Sequence, residues 1–503
     1  MTRRVLLVPA LLLLLAASAG AVPSTGREEH RRTFHKVVPL PAGRRLSIEH
    51  SNGAIRVGTH REARAVIDAA IRVSSSDEEG AERFANEIAI DVSETAQGVS
   101  VRTRYPEKQW HFVGRGHISY SVDYDIVLPE SAPLETRNRF GSVEVTGLKA
   151  AAGIKNTNGS IIFRGGQGAQ RLENAFGSIE LTGNVGDATL ANSNGSITVS
   201  ALEGALEASN RFGKVTATRI SGKSTIVNSN GSVSLTDSTG EADLTNSFGS
   251  VSVRNLGGAL KVKNSNGTIE AAEIVGDADL NTSFGAIQFS DIKGRVSCTG
   301  SNSRVTGFKV TESVTVQNSF GAVEIKDAAG VEIENANGRV TAKDIRGGAV
   351  LTTSFGALDA YGVRGNLTAV NSNGAIRAFS VKGSVSARTS FGPVKVEGAG
   401  GRVEISNQNG SAEISGLKAS DCQPVAVKTS FAPIRVSVPE GASYNVSART
   451  SFGKISSELP LNVTGSISSE SLSGKLGAGG CEMTLTNSNG SIELSRDQAP
   501  KEK

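Results

Sequence analysis

The stretch "NSFGSVSVRNLGGALKVKNSNGTIEA", residues 246–271, states one phrase twice. Asn-Ser-Phe-Gly leads into an alternating segment, a second glycine and another alternating segment, and then Asn-Ser-Asn-Gly opens the phrase again. Working outward from Gly249 and Gly267, the motif glycine stands at positions 141, 159, 177, 195, 213, 231 and 285, gives way to Ser303, and resumes at 321, 338, 356, 374, 392 and 410. The period is 18 residues, with one shortening to 17 between Gly321 and Gly338. Nine residues after most of these comes a second glycine, as at Gly240, Gly258 and Gly276.

Within each half the apolar residues fall two and four positions after the glycine, as in Val251 and Val253 or Leu260 and Val262. That is the spacing of a strand with one buried face. Both glycines are expected to supply positive φ, and Asn before Gly suits the same tight turn. Two strands and two turns cannot bury a face alone, but copies stacked about 4.8 Å apart can pair strand on strand and share one core. The predicted fold is therefore all-β: an elongated, single-chain parallel β-solenoid with a small N-terminal strand and helix cap. Right-handed winding is expected from the usual handedness of parallel connections. A string of hairpins or sandwich domains is the competing architecture, and it would not hold so strict a register over so many units.

Before the motif glycine, Phe (Phe176, Phe212, Phe248, Phe284) alternates with Asn (Asn194, Asn230, Asn266). A 36-residue coil would stack like on like; an 18-residue coil would alternate the two along one corner. The inward residues are mostly Val, Ile, Leu and Ala, too small to fill a wide tube at native packing density, so 18 residues per coil is predicted. Alternation from Leu244 puts Asn246 and Phe248 on the same inward face, which makes Phe an expected core wedge. Two residues before Phe or Asn runs a second column, Asn174, Asn192, Asn210, Asn228, Asn246 and Asn264, with Thr282 and Thr353 further on. Its expected role is to tie successive turns together.

The ends differ from the array. Two arginines, an apolar run and small residues over "MTRRVLLVPALLLLLAASAGAVPS" predict a signal peptide at residues 1–21. Residues 22–135 form the expected cap region, with one copy of the phrase in "RRLSIEHSNGAIRVGTH", in a hairpin or a first rung, and a helix in "SSSDEEGAERFANEIAI" capped near Ser76 or Asp77. Regular repeats fill 136–410, an irregular solenoid and cap with Pro424, Pro433, Pro439 and Pro460 fills 411–495, and a disordered tail is expected at 496–503.

With "LSIEHSNGAIRV", "YDIVLPESAPLETRNRFGSVEV", serial "NGSI" and "FGSV" rungs and a closing "LTNSNGSIEL", the chain resembles the bacterial family of β-solenoid domains labelled "putative adhesin", over residues 33–495. The resemblance implies a stacked β fold in the cell envelope, and its label carries little functional content. Family members often place Asp after the motif glycine, whereas this chain uses Ser196, Ser250 and Ala286, so no acidic or calcium-binding stripe is expected.

Lys plus Arg number 53 against 49 Asp plus Glu, a net charge of +4 that offers no field for a phosphate backbone. Nucleic acid is therefore not an expected partner. The array holds no histidine, and His111 and His117 lack a third ligand, so neither metal nor cofactor is predicted. Carboxylates such as Glu180, Asp243, Glu270 and Glu324 are scattered rather than paired for glycoside chemistry. The segment "RTRYPEKQWHFVGRGH" mixes aromatic and basic residues, and Arg104, Lys108, Trp110, His111, Arg115 and His117 make it a candidate partner-binding loop. Cys298 falls in an inward slot as a free thiol, while Cys422 and Cys481 could pair in an oxidising compartment.

These features predict a non-catalytic, exported protein of the periplasm or cell surface, serving as an envelope scaffold or adhesin-like surface for an envelope protein or polysaccharide. The competing readings are a periplasmic sensor or regulatory module that binds through its N-terminal region, and a carbohydrate-active β-helix enzyme.

Overall fold

The computed structural model describes residues 28–106, 118–463 and 468–497. The expected signal peptide lies outside the described residues, as do Lys108, Trp110, His111, Arg115 and His117 of the aromatic and basic loop.

Each repeat contributes two strands, one to each of two parallel ladders. Strand Ala242–Phe248 pairs in parallel with Leu260–Asn266, setting Leu244 against Val262 and Phe248 against Asn266. Val251–Leu256 pairs in the same way with Ile269–Ile274. Partners are 18 residues apart, so the coil is the shorter of the two considered, and about 17 such turns make a parallel β-solenoid. The apolar residues two and four after the motif glycine point inward, and Leu244, Val251, Val253 and Val262 are fully buried. Burial of such a continuous column is the main stabilising term, because no single coil has a core of its own.

The two glycines of the repeat do different work. Gly249 has φ +115°, and a Cβ on it would lie 2.5 Å from the Gly231 carbonyl oxygen in the coil before. It needs both the left-handed backbone and the missing side chain. Gly258 needs only the latter: its φ is not in the left-handed region, yet a Cβ there would come within 2.7 Å of the Gly240 backbone. The expectation that both glycines supply positive φ is thus half wrong. In the second half the left-handed residue sits three positions earlier and is mostly not glycine, as at Ala201 (φ 54°), Arg219 (56°), Asp237 (53°), Asn255 (54°) and Glu273 (59°).

Both ends are assembled out of sequence order. Strand Arg45–Glu49 lies between Gly98–Arg104 on one side and Leu134–Phe140 on the other, parallel to both. Ile55–His60 likewise lies between Ser119–Pro129 and Val143–Thr146. The first copy of the phrase is therefore the second rung of the stack, and strands Gly98–Arg104 and Ser119–Pro129 lie over it. Above them Arg64–Ser75 and Glu28–Pro39 add antiparallel, and Ala89–Thr95 closes the edge of Gly98–Arg104. The helix is Glu78–Glu87, and the Asp77 carboxylate accepts from the Gly80 N–H as its N-cap at 3.0 Å.

At the other end Cys481–Asn487 runs between Val425–Lys428 and Tyr444–Thr450. Tyr444–Thr450 then carries an antiparallel cover of Ser471–Leu476 and Leu461–Val463. The last rung of the sequence is again the penultimate rung of the stack. Arg496, which sequence reading places in a tail, ends a strand and faces Val438. A disulfide joins Cys422 to Cys481 with Cα atoms 5.2 Å apart, pinning the returning strand to the coil it rejoins. Cys298 is a buried free thiol, and burial pushes its ionisation far above the usual range.

Candidate functional site

The corner that carries the motif glycine is built from its interior outward. The Asn246 amide turns into the corner and donates to the Gly249 carbonyl at 3.1 Å, and Asn264 of the next coil donates to the same oxygen at 3.0 Å. Asn156 and Asn210 each bridge two coils in the same way. The turn carbonyls that point inward are thus satisfied by a column of buried amides, and Thr282 occupies one of the slots with its hydroxyl. At the N-terminal end the column continues as His50, whose Nδ1 lies 3.0 Å from Thr103 Oγ1, which in turn bonds the Tyr124 hydroxyl at 2.7 Å. Burial lowers the His50 pKa to about 4 and raises that of Tyr124 to about 12.

Because amides fill the corner, Phe cannot. The expectation of Phe as a core wedge is overturned: Phe176, Phe212, Phe248 and Phe284 are exposed, and the series runs from 43% at Phe212 to 61% at Phe391. The alternation that predicted burial ends at Asn246; by Phe248 the chain is already rounding the corner. The Phe248 carbonyl accepts from the Gly231 N–H at 2.9 Å and its side chain is left outside.

The exposed rings form one ordered column. Register pairs Asn194 with Phe176 and Phe212, Asn230 with Phe212 and Phe248, and Asn266 with Phe248 and Phe284, and the alternation is unbroken from Phe140 to Phe355. Successive rings are therefore two rungs apart, about 9.6 Å. Between them the Asn is held low: Asn158 and Asn373 donate back to the carbonyls of Arg139 and Ser354 at 3.2 and 3.3 Å. In these intervals the Asn spends its amide N–H on that bond and its oxygen is not part of it.

Carboxylates are absent from this ridge. From Arg139 to Ser411, the residue before Phe or Asn and the two after it include no Asp or Glu, and between Ser229 and Ala286 they include no charge at all. Where Arg precedes Phe it lies against the ring, with guanidinium to centroid distances of 5.7 Å at Phe140 and 5.3 Å at Phe212.

The outward face of one ladder is different. A groove of about 600 Å³ is lined by Lys223, Asp243, Lys261, Asp277 and Arg295 among others. Its charges alternate from rung to rung, with Asp243 opposite Lys261 and Lys261 opposite Asp279. The Arg295 backbone N–H, at 2.8 Å, and guanidinium hold Asp277 below the usual carboxylate range. Of the six candidate residues in the predicted partner loop only Arg104 is described; its guanidinium is bound to Asp91 at 3.0 Å. Among the described residues no group of three His, Cys, Asp or Glu gathers to hold a metal ion, and no helix is long and apolar enough to cross a membrane.

No family model and no curated protein matches the chain. Among solved structures, one described as "a putative cell adhesion protein from Clostridium sporogenes" is similar at 6% identity and a TM-score of 0.16, covering 93% of this chain and all of that one. At that score the likeness carries no argument.

Proposed function

We propose that the protein is a non-catalytic, exported, adhesin-like β-solenoid that acts in the cell envelope as a rigid scaffold and binding surface. The observation that carries this reading is the exposed Phe column: large apolar rings kept outside, in register, over most of the stack. Exposed aromatic rows of this extent are a binding feature in proteins that must otherwise stay soluble. In the charged groove acid faces base from rung to rung, with Asp243 opposite Lys261 and Lys261 opposite Asp279, rather than acid facing acid as in a glycoside hydrolase's carboxyl pair. The aromatic and basic segment at residues 102–117 is a second contact point in this proposal.

The test is protease accessibility of the tagged protein on intact cells against cells whose outer layer has been opened. Digestion on intact cells supports a surface-displayed adhesin. Protection until opening places the rod in the periplasm and turns the search to envelope partners; protection in both, with the protein recovered in the cytoplasm, sinks the exported reading.

A further inference from the structure

The geometry points to a ligand class for the ridge: an uncharged, extended β-linked polysaccharide lying along the Phe column, with one ring under every second sugar. This inference rests on the binding-surface reading above and names what that surface binds.

Three observations choose the occupant. First, the rings recur every two rungs, about 9.6 Å, close to the advance of one disaccharide along an extended β-1,4-linked chain. In such a chain alternate sugars present the same face, so one face meets one ring per repeat. Second, the spaces between rings are polar. A pyranose has an apolar C–H face for an aromatic ring and a rim of hydroxyls, and the positions between rings carry the amides of Asn230 and Asn266 with the hydroxyls of Ser229 and Ser265 beside them. Third, the ridge excludes carboxylates, and its central span carries no charge, which matches a neutral ligand. A second copy of the chain fits less well. Each Phe is flanked along the column by Asn and across it by Ser and Gly, so two ridges would meet as isolated rings in a polar field rather than as the continuous apolar core a homodimer interface uses.

The rings from Phe248 to Phe391 follow Ser rather than Arg and are the open part of the column, as at Ser247, Ser283, Ser319, Ser354 and Ser390. Because the rows are fixed by the backbone, each ring adds its contact with no new ordering cost. Affinity for a polymer should then climb steeply with the number of rings engaged.

The experiment uses the full chain with microcrystalline chitin and cellulose as solid probes and their soluble hexasaccharides in calorimetry. Wild type is expected to be retained on at least one polymer. F248A/F284A/F320A/F355A should lower retention at least ten-fold with an unchanged circular dichroism spectrum, and single variants should lower it two- to three-fold. A second variant, N230F/N266F, keeps every ring but fills the positions between them; it should also weaken binding, which a merely sticky aromatic surface would not do. Retention indifferent to the quadruple variant overturns the ridge as the site while leaving a binding surface elsewhere. No retention on either polymer overturns the glycan assignment, and a concentration-dependent dimer abolished by the quadruple variant would replace it with self-association. Release of reducing sugar would instead remove the non-catalytic reading on which the inference rests.

Discussion

The two bends of each coil solve the same geometric problem with opposite economies. At the amide corner, around Asn246 to Gly249, the same elements recur from coil to coil: a buried amide, replaced by a hydroxyl at Thr282, an exposed Phe or Asn, and a glycine that gives way to Ser303 in one coil. At the left-handed bend, around Asn255, the same turn of the chain is made by Ala, Arg, Asp, Asn, Glu, Lys or Ser with φ between 53° and 59°. A non-glycine residue in that region costs about 1–2 kcal/mol, and the fold bears it coil after coil. The one-residue shortening shows which bend is free to vary. Val310 pairs with Ala328 but Ser313 pairs with Gly330, so the loss is absorbed after the left-handed bend, and Phe320 still meets Asn337 on the other side. One corner is held constant where the exposed column is displayed, and the other takes up the sequence variation.

Substitutions at equivalent places should separate the two. Gly249→Ala forces a Cβ against the Gly231 carbonyl in a positive-φ position and is expected to cost roughly 3 kcal/mol or more, seen as local loss of hydrogen-exchange protection in the flanking coils. Next comes the amide column. Asn246→Ala or Asn264→Ala alone should cost about 1 kcal/mol, but the double variant leaves the Gly249 oxygen with no amide donor. It should exceed the sum of the singles in urea denaturation; strict additivity would show that the shared carbonyl does not couple the coils.

The N-terminal end of the same column should respond to pH. His50 is held neutral, with its pKa depressed to about 4 in the folded state against about 6.5 for the free side chain. Its contribution to stability is complete above pH 6.5, falls as pH drops through the interval down to about 4, and is level below that. Exchange protection of residues 98–104 should therefore fall between pH 7 and 4.5, and His50→Asn should flatten that dependence. The smallest effect is expected at the left-handed bend: Ala201→Gly relieves strain, offset by unfolded-state entropy, and should raise the denaturation midpoint by about 0.5 kcal/mol equivalent. If Ala201→Gly and Gly249→Ala were equally disruptive, the contrast between the corners would be lost.

Much of this was open to sequence reading because a stacked fold writes its rules as period. The 18-residue spacing and apolar positions two and four after each glycine carry the coil length and the core. The Asn and Thr column was legible as a tie between turns. The side of Phe248 was not, since strict alternation was carried one residue too far, through a corner already filled by Asn246. The left-handed bend left a fainter trace: Gly165, Gly183 and Gly362 fall in phase with Asp237, Asn255, Asp291 and Asp344, residue types enriched at positive φ. That phase lies three residues before the glycines that were read as the turn. The order of rungs at the two ends left no trace, because parallel rungs in one register are interchangeable to any rule based on local spacing.

That order has a bearing on how the rod is completed. Strand Tyr444–Thr450 emerges from synthesis before Cys481–Asn487, yet its parallel neighbour in the finished stack is that later strand. Until the chain has been made past residue 487 the growing solenoid ends on an open edge, with its last coils unable to dock. Closure needs that later strand, which supplies the missing rung between Val425–Lys428 and Tyr444–Thr450 and carries Cys481 to Cys422. A chain broken off before that point would keep a full-length ridge and still lack a finished end, exposing strand edges ready to pair with another chain. The terminal rung therefore works as a proof of completeness.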